Sequence, residues 1–198
     1  MIKLKGVTKR FDGKLILDRV DAELPAPGMT ALLGASGIGK TPLARMLLGL
    51  DADYSGEITG LPHRCACVFQ EDRLLMQLTA AENVRFVAPH IGNAELREGF
   101  ARLGIAADMH TPVSQLSGGM KRRVSILRAL LSDGQLGVMD EPMKGLDEAI
   151  ARQTAAYCRE KLKGRTLLYI THAAEEIAWL GIENILQLEN GKIHKITR

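Results

Sequence analysis

The apolar positions divide the chain into strand-like and helix-like stretches. Ile2, Leu4 and Val7 begin a strand-like alternation. Leu15-Ile16-Leu17 and Val20-Asp21-Ala22-Glu23-Leu24 continue it, until Pro25, Pro27 and Gly28 break it. This predicts a small β region at the start of the chain. Met29-Thr30-Ala31-Leu32-Leu33 reads as a short buried strand. Leu43, Met46, Leu47 and Leu50 follow at the spacing of one helix face. Ser55-Gly56-Glu57-Ile58 and Cys65-Ala66-Cys67-Val68-Phe69 predict two more strands. From Gln70 the texture changes. Positions 80–87, 94–103 and 121–131 carry helical spacing, punctuated by Gly92 and Gly104. Leu136-Gly137-Val138-Met139 is an apolar strand that ends in Asp140-Glu141, and a helix runs from Asp147 towards Leu162 with Gly164 as its C-cap. Strand, helix and strand alternate again over 166–170, 173–180 and 185–188. Asn190-Gly191 is a two-residue hairpin turn into a last strand at 192–196.

Strands alternating with helices predict an α/β fold around a parallel sheet. The helical block from about Gln70 to Leu131 interrupts the alternation and reads as an inserted lobe. A chain of 198 residues suffices for one sizeable domain. Its 46% apolar and 25% charged residues are ordinary for a globular protein. The net charge of +3, with acids and bases interspersed, makes no case for nucleic acid as a partner. No apolar run reaches the roughly 18 residues of a membrane span, and Met1-Ile2-Lys3-Leu4-Lys5 lacks a signal-peptide core. The expectation is a cytoplasmic chain that reaches a membrane through a partner. Cys65, Cys67 and Cys158 are an odd set with poor metal-ligand spacing, which predicts core packing for them.

Candidate chemistry centres on Gly34-Ala35-Ser36-Gly37-Ile38-Gly39-Lys40-Thr41, which matches the phosphate-binding pattern G-x-x-x-x-G-K-[ST]. Glycines let backbone N–H groups turn around an anion. Lys40 supplies a charge for the outer phosphates, and the Thr41 hydroxyl is a Mg²⁺ ligand. The loop lies between a predicted strand and a helix N-terminus, which completes an anion site. Pro42 falls in the first helical turn, where the missing N–H costs nothing.

Asp140 and Glu141 end a strand, and ligands of open α/β sheets sit beyond such ends. Asp140 suits Mg²⁺, held through water opposite Thr41, and Glu141 suits the orientation and deprotonation of an attacking water. Ser117-Gly118-Gly119 precedes an amphipathic helix and forms a second anion-ready helix start. Lys121-Arg122-Arg123, just beyond, reads as a solvated helix face.

Taken in order, these motifs resemble the ATP-binding subunits of ABC transporters over nearly the whole chain. Residues 34–41 match Walker A, and Leu116-Ser117-Gly118-Gly119-Met120 looks like the family signature, with Met120 where glutamine is usual. Asp140-Glu141 looks like the end of Walker B, Gly145-Leu146-Asp147 like the D-loop, Val68-Phe69-Gln70 like the Q-loop, and Thr171-His172 like the switch histidine. Phe11 lies where the family stacks an aromatic on adenine. The resemblance implies a RecA-like P-loop NTPase core with an antiparallel β subdomain, over about 1–70 and 132–198. It also implies an inserted helical signature subdomain over about 71–131. It implies ATP contacts from Phe11 and residues 34–42, with Thr41, Gln70 and Asp140 around Mg²⁺. Lys40, Gln70, Glu141 and His172 are the catalytic residues it implies. Ser117, Gly118, Gly119, Met120 and Asp147 would reach the ATP of a second subunit across a head-to-tail homodimer. Pro42 replaces the family's usual second hydroxyl, which implies modestly weaker nucleotide binding.

The implied function is ATP hydrolysis that drives transport through a separate membrane permease, on the inner face of the cell membrane. Glu71-Asp72-Arg73-Leu74-Leu75, the LSGGM form, and Glu175-Glu176 resemble nitrate-, sulfonate- and taurine-type importers, in which a solute-binding protein takes part indirectly. The last hairpin is expected to end the fold without a regulatory domain. The competing class is an ABC-type ATPase that works without a transporter. Translation factors of that class carry two such domains and chromosome ATPases carry long coiled coils, and this chain shows neither. A nucleotide-binding module that has lost hydrolysis fits less well, because Glu141 and His172 are both present.

Overall fold

The computed structural model describes residues 1–196; the last two residues of the expected 132–198 stretch lie outside the described residues. Two sheets organise the chain. β1 (Ile2–Phe11) pairs antiparallel with β2 (Lys14–Leu24) and with β4 (Ser55–Thr59), in the order β2-β1-β4. The second sheet contains β3 (Gly28–Leu33), β5 (Cys65–Val68), β6 (Leu136–Asp140), β7 (Thr166–Ile170), β8 (Asn184–Glu189) and β9 (Lys192–Ile196). Its order is β5-β6-β7-β3-β8-β9, parallel except for the β8–β9 hairpin. The helices are α1 (Lys40–Leu47), α2 (Ala80–Val87), α3 (Asn93–Arg102), α4 (Gly118–Leu131), α5 (Glu148–Lys161) and α6 (Ala174–Leu180). Among the described residues, no helix is long and apolar enough to cross a membrane.

The period of two along the central strands explains the packing. Leu32, Val138 and Leu168 face the three-stranded sheet and α1, in one apolar cluster with Leu4, Val20 and Met46. Their neighbours Ala31, Met139 and Leu167 face the other way, in a second cluster with α2, α3, α4, α5 and α6. Strands covered on both faces read as near-continuous apolar runs, and β6 and β7 are buried at every position, with Asp140 and Thr166 at their ends the polar exceptions. The helices of the 71–131 stretch therefore bury themselves against the sheet, through Val84, Phe100 and Leu127.

The structure corrects four expectations. The first helix stops at Leu47, and Leu50 is 51% exposed. Gly49 takes the left-handed conformation at φ 68°, while Gly49 N–H donates to Met46 O and Leu50 N–H donates to Arg45 O, the paired bonds that close a helix. Secondly, α4 starts at Gly118, because the Ser117 hydroxyl accepts from Met120 N–H at 3.3 Å and caps the helix there. Thirdly, the cysteines do not share a core: Cys158 is buried, Cys67 half-buried and Cys65 exposed, since β5 is the edge of its sheet. Finally, Arg122 is not solvated. It is 8% exposed and donates to Phe69 O and Gln70 O at 2.6 and 2.5 Å, while Asp72 lies 3.2 Å away. Arg123 likewise donates to Leu103 O and Gly104 O. Guanidinium groups serve loop carbonyls that no strand or helix satisfies.

Parallel pairing brings the site together. Leu32 and Asp140 both register against Ile170, so the ends of β3, β6 and β7 lie side by side. Each strand then releases a segment that carries candidate site residues at the same edge: residues 34–39 from β3, Glu141 from β6 and His172 from β7.

Candidate active site

A cleft of about 380 Å³ opens at this edge. Ser36, Gly37, Gly39, Lys40, Thr41 and Pro42 form one wall, and Asp140, Glu141 and Gln70 form another. Phe11 and Ile16, from the three-stranded sheet, complete it. Phe11 is 62% exposed, so it is an aromatic face offered to the cleft rather than a core residue. A larger groove, about 920 Å³, lies at the amino ends of β3 and β8 and carries none of the motif residues.

The loop is held down tightly. Gly39 sits at φ 121° as the residue before α1, and a Cβ there would lie 2.4 Å from the Ile16 Cγ2 methyl. Only glycine combines that backbone with that approach. Lys40 is 7% exposed, and its ammonium donates to Gly34 O and Ala35 O at 2.6 and 2.7 Å. Gly34 and Ala35 thus act through their carbonyls and do not line the cleft. Ile38 turns away as well, into the apolar cluster beneath. The Leu43 N–H takes the Gly39 carbonyl, so α1 proceeds normally past Pro42. Positive helix end, glycine loop and buried lysine together have the chemistry of a polyphosphate site.

Opposite the loop, the Thr41 hydroxyl donates to Asp140 Oδ2 at 2.6 Å. Asp140 is 5% exposed, and its burial pushes the carboxyl above the ordinary aspartate range. The Thr41 hydrogen bond pulls the other way, and the adjacent Glu141 carboxylate adds to the rise. A buried carboxylate beside a hydroxyl offers hard oxygen donors, the kind that suits a divalent cation with its own waters. Glu141 takes a left-handed backbone, φ 48°, which is uncommon for a residue other than glycine. Its N–H donates to Ile170 O at 2.9 Å and ties the end of β6 to β7. Its carboxylate has one neighbour at each oxygen: His172 Nδ1 lies 3.3 Å from Oε1, and Lys144 Nζ lies 2.9 Å from Oε2. Burial pushes this carboxyl up, but Lys144 and then His172 outweigh it and hold Glu141 below the usual glutamate range.

The signature residues are not part of this cleft. Ser117 caps α4, Gly118 and Gly119 begin it, and Met120 packs against the core. Asp147 caps α5, accepting from Ile150 N–H at 3.0 Å. The structure therefore brings Phe11, Gln70, Asp140 and Glu141 to the loop and leaves Ser117, Gly118, Gly119, Met120 and Asp147 elsewhere in the chain. Two residues went unread in the sequence. Ile16 was legible only as an alternating strand position, and Lys144 carried one faint signal, a cation three residues after Glu141 in a tight turn.

Residues 17–144 match the family model described as ABC transporter. An aliphatic sulfonates import ATP-binding protein of Rhodococcus jostii is 33% identical over 196 residues, which cover 97% of this chain and 80% of that protein. A Nod factor export ATP-binding protein of a Rhizobium species is 36% identical over 211 residues, covering 96% and 68%. Among solved structures, a bacterial Atm1-family ABC exporter with ATP bound superimposes with a TM-score of 0.86. At 24% identity, over 99% of this chain and 38% of that one, it shows the same fold. With the phosphate loop, the carboxylate pair and the parallel sheet that joins them, these matches show that the chain belongs to the ABC transporter family, as an ATP-binding subunit with ATPase activity.

Proposed function

We propose that this chain is the ATPase subunit of an importer and that Mg·ATP occupies the cleft between Phe11 and Glu141. Phe11 stacks on adenine, and residues 34–42 surround the phosphates. Lys40 leaves its loop carbonyls for the outer phosphates. Thr41 and Asp140, with Gln70, would hold Mg²⁺, which when bound would neutralise phosphate charge. Glu141 orients a water and takes its proton, and His172 steadies the carboxylate from the other side. The Thr41–Asp140 pair carries this reading, because a buried carboxylate raised by burial gains most from a cation. Asp140→Asn removes that charge and keeps the shape. In titration calorimetry the tightening of ATP binding by Mg²⁺, relative to EDTA, should shrink by roughly tenfold or more. An unchanged Mg²⁺ effect would place the ion elsewhere.

The helical stretch 71–131 is proposed as a subdomain that carries the signature and meets a permease. Leu75, Met76, Phe86 and Val87 are 40%, 42%, 70% and 37% exposed, and they follow directly on Gln70 or lie on α2. Asn83, fully buried, pins the loop beneath them by donating to the Leu75 and Thr79 carbonyls and accepting from Leu75 N–H. Apolar side chains on a fixed loop suit a partner surface. Leu75→Asp should leave ATPase activity of the isolated subunit and its melting temperature unchanged, and abolish transport by the complex in vesicles. Retained transport would move the docking surface elsewhere. Such docking puts the subunit on the inner face of the membrane, with a solute-binding protein acting through the permease. The likeness to sulfonate import proteins supports import. A second copy, head to tail, is proposed to bring Ser117, Gly118, Gly119, Met120 and Asp147 to the ATP.

A further inference from the structure

We propose that Lys144 is a positioning residue for the Glu141 carboxylate, holding one of its oxygens so that the other is presented correctly; this rests on the reading of Glu141 as the base. A glutamate's last torsion is broad and nearly two-fold, so a carboxylate at the edge of a cleft has no fixed plane of its own. Here each oxygen has a nitrogen neighbour. Lys144 Nζ is 2.9 Å from Oε2, and His172 Nδ1 is 3.3 Å from Oε1. Two neighbours on different oxygens define the plane, and either alone leaves it free to turn.

The backbone supports the same role. Glu141 is held at φ 48° by its N–H bond to Ile170 O, and Lys144 N–H donates to Glu141 O at 3.2 Å. Residues 141–144 thus form one closed turn, which returns the lysine to the glutamate it follows. The environments of the pair are unequal. The Glu141 side chain is 13% exposed and the Lys144 side chain 53%. A lysine that reaches water this easily adds little to stability as an ion-pair partner. Orientation is another matter, because small misplacements of a catalytic group cost rate steeply.

The test is kinetic, on the full chain. Lys144→Met keeps the length of the stem and removes the ammonium. It should lower kcat roughly tenfold at unchanged KM for ATP and unchanged melting temperature. Lys144→Arg restores a donor and should recover most of the rate. In a Glu141→Gln background the Lys144→Met change should add nothing, since the group it positions is gone. A Lys144→Met kcat within twofold of wild type would overturn the proposal. So would a rise in kcat, which would make Lys144 a restraint on the base, or a raised KM at unchanged kcat, which would make it a nucleotide contact. Glu141→Gln, run alongside, separates the two claims. If that variant hydrolyses ATP at the wild-type rate, the base reading itself falls. If it is inactive while Lys144→Met is normal, only the inference about Lys144 falls.

Discussion

Glu141→Gln should lower ATP turnover by about 10²-fold or more, on the scale of general base catalysis, and leave Mg·ATP binding intact. The substitution keeps size and shape, so the left-handed backbone and the bond from Glu141 N–H to Ile170 O are expected to persist. On the proposed reading it removes the group that takes a proton from water. Asp140 is not placed to take over, because it is buried and accepts from the Thr41 hydroxyl. His172 lies against the far oxygen of Glu141, and its side chain is 70% exposed, which suits a supporting contact better than a base. On the proposed reading, binding draws on the phosphate loop and Phe11, and the polar partners of the Glu141 carboxylate are His172 and Lys144 instead. Phosphate release in the steady state reads the first effect, and titration calorimetry reads the second. If hydrolysis stops while closure does not, the ATP-bound dimer should accumulate in gel filtration. A variant that turns over at the wild-type rate would remove Glu141 from the mechanism.

Ser117→Arg should abolish both dimerisation and hydrolysis while the monomer still binds ATP. The chain has two anion-ready helix starts, one at Gly39 and one at Ser117, and only the first lines its own cleft. A second copy is the simplest source of phosphate contacts for the other. Arginine at 117 places a long side chain where that helix start must approach. It also deletes the N-cap, which costs about 0.5–2 kcal/mol, so a partner variant is needed. Gly118→Asp serves, because a Cβ at Gly118 meets nothing within 4 Å and Ser117 keeps its cap. An aspartate at a helix start is favourable for the fold and hostile to a phosphate. Both variants should fail in the same way, with ATP binding by calorimetry close to wild type. Normal hydrolysis by Gly118→Asp would mean that this helix start never meets the nucleotide.

Much of the fold was legible because each strand carries its own periodicity. β6 and β7 are apolar over Leu136–Met139 and Leu167–Ile170 and are buried on both faces, and the Asn190-Gly191 turn gives the last hairpin. The site was legible where backbone requirements dictate residue type, as at Gly39 and Lys40. What escaped were properties that belong to the assembled surface. The exposure of Cys65 follows from β5 being an edge, and strand order is not written in local spacing. The burial of Arg122 follows from the unsatisfied carbonyls of Phe69 and Gln70, about fifty residues away in sequence. Little in the sequence singles out Lys144, because its partner is set by the turn at Glu141, a conformation that residue type does not announce. Leu50 continues the spacing of the helix face, but Gly49 in the left-handed conformation ends the helix before it.

The central claim is that one chain holds half of each active site and a second chain completes it. Specific ATPase activity of the purified wild-type subunit, measured against protein concentration with sedimentation in parallel, tests it most directly. A bimolecular active species predicts specific activity that rises with concentration and levels off as the dimer fills. Specific activity that stays flat down to concentrations where sedimentation finds only monomer would contradict it.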